Sequence, residues 1–144
     1  MMATCDNKPR KLFNFNYVVR LSLPILWAGA ICWLSLTSTP PQIPGILGWD
    51  KLLHAAAYAL LTVLVAQYLH IHYTGSWKAG FYAACFAVLY GGLIEVMQLA
   101  MQAGRFAEWW DLVADTVGAV AGYVIFRQAT VMRFQHHDRN QTDG

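Results

Sequence analysis

Residues 52–71 read LLHAAAYALLTVLVAQYLHI, twenty positions without a single Asp, Glu, Lys or Arg. A helix of that length rises about 30 Å, which matches the hydrocarbon thickness of a bilayer. Three further apolar blocks flank it, from about Tyr17 to Leu36, from about Ala79 to Met101, and from Asp111 to about Phe126. The last is the shortest, and Asp115 interrupts it early. Overall, 57% of the chain is hydrophobic and 12% charged. An average soluble domain carries about twice that charge, and its apolar residues are not gathered into blocks of this length. The expected fold is therefore all-α, an integral membrane bundle of four transmembrane helices.

The connections support the same division. Pro40, Pro41, Pro44, Gly45 and Gly48 keep residues 37 to 49 out of helix, and Trp49 stands where an interfacial aromatic is expected. Residues 72 to 78 turn the chain back, and the Trp109-Trp110 pair marks the interface before the fourth block. A basic start followed by an apolar stretch also fits a signal peptide. The length of the first block, its Trp27 and Trp33, and the absence of a small-x-small cleavage site after it favour a span. Arg20 can snorkel from its first turn, and Pro24 is near enough to that end to be tolerated. Cys5, Cys32 and Cys85 are too scattered for a disulfide framework or a thiolate site and read as small hydrophobes.

The net charge of +2 is too small to suggest a nucleic-acid surface, yet its distribution is informative. Lys8, Arg10, Lys11, Arg20, Lys78, Arg127, Arg133 and Arg139 fall on one side of a four-span topology, against Lys51 and Arg105 on the other. By the positive-inside rule both termini are cytoplasmic, and the loops at 37 to 51 and 102 to 111 face outward. The chain then divides into a basic cytoplasmic segment at 1–16, a membrane domain at 17–128 and a polar cytoplasmic tail at 129–144.

Polar residues inside the spans share helix faces. Asp50, His54 and Tyr58 recur every four residues with Lys51 beside them; Gly91, Glu95, Gln98 and Gln102 follow the same spacing in the third span, and Asp111, Asp115, Gly118 and Gly122 in the fourth. From the ends of their spans, His54, Glu95 and Asp115 all lie about 6 to 9 Å below the outward surface. A charged group at depth costs about 3 kcal/mol on insertion scales, so three on separate helices are expected to face one another or a wet cavity. Taken singly, His54 reads as a helix-packing residue, Asp111 as an N-cap and Lys51 as an interfacial anchor. Tyr58 and Gln102 read as structural, whereas Glu95 and Asp115 point to a site. Gly118 and Gly122 have the small-xxx-small spacing of close helix packing. His70, His72, His136 and His137 are a weak metal signal, so neither a metal nor a cofactor is expected.

Together these motifs resemble those of the VanZ-like membrane proteins. The resemblance is carried by Trp49-Asp50-Lys51 with His54 and Tyr58 after a Pro-rich loop, Gly91-Gly92-Leu93-Ile94-Glu95 with Gln98, Arg105, and Asp111, Asp115, Gly118 and Gly122. It covers about residues 35 to 126 and makes 17–128 a VanZ-like domain. In that family a small polar residue, often Asn, commonly stands one turn beyond the second aspartate, where this chain has Gly118 and Ala119. The resemblance implies a multi-span bacterial inner-membrane protein, in a family whose founding member is associated with low-level teicoplanin resistance. It does not supply a reaction.

Three functions are compatible with these residues. The first is an envelope protein whose outward site, built from Asp50, Lys51, His54, Glu95, Gln98, Arg105, Asp111 and Asp115, binds or protects a cell-envelope lipid or a glycopeptide-related ligand. The second is a membrane enzyme acting on a lipid head group, with His54, Glu95 and Asp115 as acid/base residues. The third, proton or ion conduction, needs polar groups at several depths, and the inner half of the spans offers almost none. The expected partners are the lipid bilayer and a cell-envelope lipid or glycopeptide-related ligand, with no nucleic acid, and the oligomeric state stays open.

Overall fold

The computed structural model describes residues 15–37, 49–73, 75–101 and 109–142, and contains no strand among them. Four helices follow in order: α1 (Phe15–Leu36), α2 (Trp49–Leu69), α3 (Ser76–Met101) and α4 (Trp109–Thr142). Each contains a stretch long and apolar enough to cross a membrane: Tyr17–Leu36, Lys51–Leu69, Ser76–Met101 and Trp109–Arg133. The chain is thus an all-α, four-helix bundle with the dimensions of a multi-pass membrane protein. Many large apolar side chains point outward, among them Leu26, Trp33, Leu89 and Trp109. In water such a surface would drive aggregation; in lipid it is the solvated face.

Small residues fill the interior in place of large ones. Ala66, Ala79, Ala83, Ala87 and Ala119 are wholly buried, and backbones approach closely across them. The tightest approach joins α2 to α4, where Gly118 lies against the backbone carbonyl of Ala55 and Gly122 against that of Ala59. Lipid tails are as apolar as Leu, so association here depends on such close packing and on interhelical hydrogen bonds. At the opposite end, Gly80 lets Tyr123 and Phe126 of α4 settle onto α3.

Helix α1 is attached differently. It contacts α2 and α3 but not α4 among the described residues, and polar side chains clamp it to its neighbours. Trp27 Nε1 donates to the Ala57 carbonyl at 3.0 Å, Tyr90 Oη to that of Ala28 at 2.7 Å, and Gln98 Nε2 to that of Ser35 at 2.7 Å. The last two pair the middle and end of α1 with the middle and end of α3, so these helices are parallel and α2 and α4 run the other way. At the α2–α3 turn, Gly75 takes the left-handed φ of 117° that a side chain would resist.

The fourth helix is longer than the apolar block that marks it in the sequence. It continues without a break through Phe126 and Arg127 to Thr142, so the segment expected as a polar tail begins as helix. Once started, a helix propagates at little cost through polar residues such as Arg and Gln, and no membrane is needed to hold it.

Candidate functional site

Two helices create the site by being locked at fixed register. The contact of Gly118 with Ala55 and of Gly122 with Ala59 sets α4 against α2 with little freedom to slide. One turn nearer the α2 start, the same register places Asp115 opposite His54; a further turn out, it places Asp111 opposite Lys51. His54 Nδ1 is hydrogen-bonded to Asp115 Oδ1 at 3.0 Å, and Lys51 Nζ donates to Asp111 Oδ1 at 2.6 Å. The two pairs are stacked as layers. The inner one is almost closed to solvent, with side-chain exposures of 15% for His54 and 2% for Asp115, while Lys51 in the outer one is 35% exposed.

The third wall comes from α3. A methyl group at Gly91 would stand 2.7 Å from Asp115 Oδ2 and 3.2 Å from Tyr58 Cε1, so the missing side chain there is the space that the carboxylate and the phenol ring occupy. Tyr58 is 2% exposed, and its hydroxyl interacts with Asp115. Glu95 follows Gly91 by four residues on the same face, about 6 Å further along the axis. This puts it level with the Lys51–Asp111 layer, and within electrostatic reach of Tyr58. Side chains tilt toward a helix's own N-terminus, so the Glu95 carboxylate leans back from the rim toward Asp115.

The structure therefore brings Lys51, His54, Asp111 and Asp115 into direct pairs, with Gly91 and Glu95 beside them. Gln98 is engaged elsewhere, since its buried amide holds Ser35 of α1. Asp50 lies in the first turn of α2, one residue before Lys51. Arg105 and Gln102 fall outside the described residues. Of the histidines remote from this end, His70 packs edge-on to Phe126 with centroids 5.8 Å apart, and His72 meets Tyr68 edge-on with centroids 5.4 Å apart.

Residues 7–133 match the model of the VanZ/LLP1 family over nearly the whole chain. The protein belongs to the VanZ/LLP1 family. No curated protein and no solved structure matches it. All the motif residues from Trp49 to Gly122 lie within the matched region, including both interhelical pairs of this VanZ/LLP1 chain. One participant is less visible in its sequence. Tyr58, which reads as structural, stands in the inner layer against Asp115; its place on the His54 face four residues on is the signal that identifies it. Gly91 makes room for both Tyr58 and Asp115 by lacking a side chain.

Chemically, the arrangement can bind polar groups. Carboxylates of Glu95 and Asp115 accept from hydroxyl or amine donors, Lys51 donates, and the Asp115-bound imidazole is fixed by one ring nitrogen.

Proposed function

We propose that this VanZ/LLP1 protein resides in the bacterial cytoplasmic membrane with both termini inside. Its outward-facing polar site then binds or protects a cell-envelope or lipid-linked component, and so contributes to resistance to teicoplanin-type glycopeptides. The observation that carries this reading is the double pairing of α2 with α4, Lys51 to Asp111 and His54 to Asp115, with Glu95 alongside. Gly118 and Gly122 bring the two backbones together independently of these side chains. Ionisable groups kept within a span are characteristic of sites.

The pairing also refines which groups a ligand should present. Asp111 pairs with Lys51 and Asp115 with His54, and Glu95 adds a third carboxylate beside these two pairs. Hydroxyl or amine donors suit these carboxylates, and a phosphate on the same component would rest on Arg105 at the outward rim. The test is susceptibility of a deletion strain to teicoplanin, complemented with wild type, E95Q, R105A and D115E. The deletion should sensitise the strain severalfold, E95Q and R105A should fail to restore resistance, and D115E should restore part of it. Full complementation by both E95Q and R105A would remove the binding role of this site.

A second reading has one observation in its favour. A carboxylate that fixes an imidazole by hydrogen bond is the orienting half of a general-base pair, and His54 with Asp115 has that geometry. In this reading His54 moves a proton at a head group and Arg105 stabilises developing negative charge. Turnover of envelope lipids by purified protein, lost in H54A, would establish it; absence of turnover across those lipids would dismiss it.

A further inference from the structure

At the end of the bundle away from the paired acids, the structure contains a cavity of about 530 Å³ bounded by α1, α2 and α4. It lies where α1 packs on α2 and α3 and, among the described residues, its backbone does not pack against α4. Its size is that of small-molecule sites, which span about 300 to 1,000 Å³. Its chemistry is graded along the helix axis. Val63 and Ile125 line the deep part; His70, seven residues beyond Val63, and Arg133, eight beyond Ile125, line the outer part, about 10 to 12 Å further toward the membrane surface. Arg20, from the second turn of α1, closes the third side.

Two arginines on different helices thus line one opening, and among the described residues no acidic one lines it. Neither Arg20 nor Arg133 forms an ion pair among the described residues. Like charges placed together repel, and a bundle with freedom to place them elsewhere gains nothing from holding them here unless an anion joins them. Guanidinium is the group that meets phosphate with two parallel hydrogen bonds. His70 Nδ1 adds a buried ring nitrogen with no hydrogen-bond partner among the described residues.

We propose that this cleft holds an anionic phospholipid, its phosphate between Arg20 and Arg133 and an acyl chain along Val63 and Ile125. The gradient selects the lipid over a soluble phosphate, since a free anion has no use for an apolar extension of about 10 Å below the cations. The site is separate from the paired acids at the other end, and its occupancy does not depend on what those acids bind.

Native mass spectrometry of the purified full chain in detergent tests this with three probes: phosphatidylglycerol, phosphatidylcholine of the same acyl chains, and inorganic phosphate. Wild type should retain phosphatidylglycerol in preference to phosphatidylcholine. Loss of one basic residue near a membrane surface is worth about fivefold, so R20Q and R133Q should each weaken retention by about that factor and the double variant by about thirtyfold. R127Q removes an exposed arginine of α4 that does not line the cleft, and should retain the lipid as wild type does. R20K/R133K keeps both charges and should lose less than R20Q/R133Q, which separates lipid binding from misfolding. Equal retention of the two lipids, an unchanged double Gln variant, or equal loss in R127Q would overturn the proposal. Inorganic phosphate that displaces phosphatidylglycerol at millimolar concentration would overturn the lipid as occupant and leave a soluble anion.

Discussion

Asp115 of α4 meets His54 of α2 at 3.0 Å in a layer where the aspartate side chain is 2% exposed and Tyr58 and Gly91 form the remaining walls. In a low-dielectric interior, such a pair is held by mutual need. Removing one partner leaves the other buried without compensation, which costs more than the pair contributes when intact.

That asymmetry yields a prediction about stability. D115A and H54A should each destabilise the bundle, D115A by about 3 kcal/mol, whereas the double variant should lie well below the sum of the two. A double-mutant cycle on unfolding free energy in mixed micelles measures the coupling. Strict additivity would show that the two side chains are neighbours without interacting.

The glycines separate into two kinds with opposite expected outcomes. A methyl at Gly118 collides with the carbonyl of Ala55, which is backbone and cannot step aside, so G118A should part α2 from α4 and cost about 3 kcal/mol or more. G122A meets Ala59 and Thr62 and should behave similarly. Gly92 has nothing within 4 Å of the corresponding position, and Ala is the better helix former by about 1 kcal/mol. G92A should therefore leave stability unchanged or raise it, in the same unfolding assay. A destabilising G92A would mean that its open face is occupied in the membrane.

The contrast between these sites shows what a sequence can carry. Spans were legible because twenty apolar residues have few other uses, and the approach of His54 to Asp115 was legible because the two stand at similar distances from the ends of their blocks, whereas the pairing of Lys51 with Asp111 was not. Depth and face together bring a polar residue to its partner when packing is tight. The attachment of α1 was not legible, because Trp27, Tyr90 and Gln98 donate to carbonyls that every residue possesses. Nor was the cleft beside Arg20, since it lies where α1 does not pack against α4, and which helices pack together depends on which side chains meet. The length of α4 escaped for a third reason: hydrophobicity reports where a helix enters lipid, not where it ends.

Topology is open to direct measurement. With Cys5, Cys32 and Cys85 replaced by Ser, a cysteine introduced at Gln42 should react with a membrane-impermeant maleimide in intact cells, and one introduced at Ser76 only after permeabilisation. The opposite pattern would invert the bundle and turn the paired acids toward the cytoplasm, against the excess of Lys and Arg at the termini.

The outer layer, unlike the inner one, should tolerate reversal of both charges. Lys51 and Asp111 approach to 2.6 Å near the rim, where Lys51 is 35% exposed and solvent screens part of the attraction. K51D places two carboxylates together and should lose about 1 kcal/mol along with function, and D111K should place two ammonium groups together with similar effect. Restoring opposite signs in K51D/D111K should recover stability, because either helix can carry either charge at that depth. Function need not follow, and the difference is diagnostic. If the pair serves only to join α2 to α4, the swapped variant complements a deletion strain as wild type does. If a ligand reads the position of the cation, stability returns while resistance stays lost, and the unfolding and susceptibility measurements on that one variant divide.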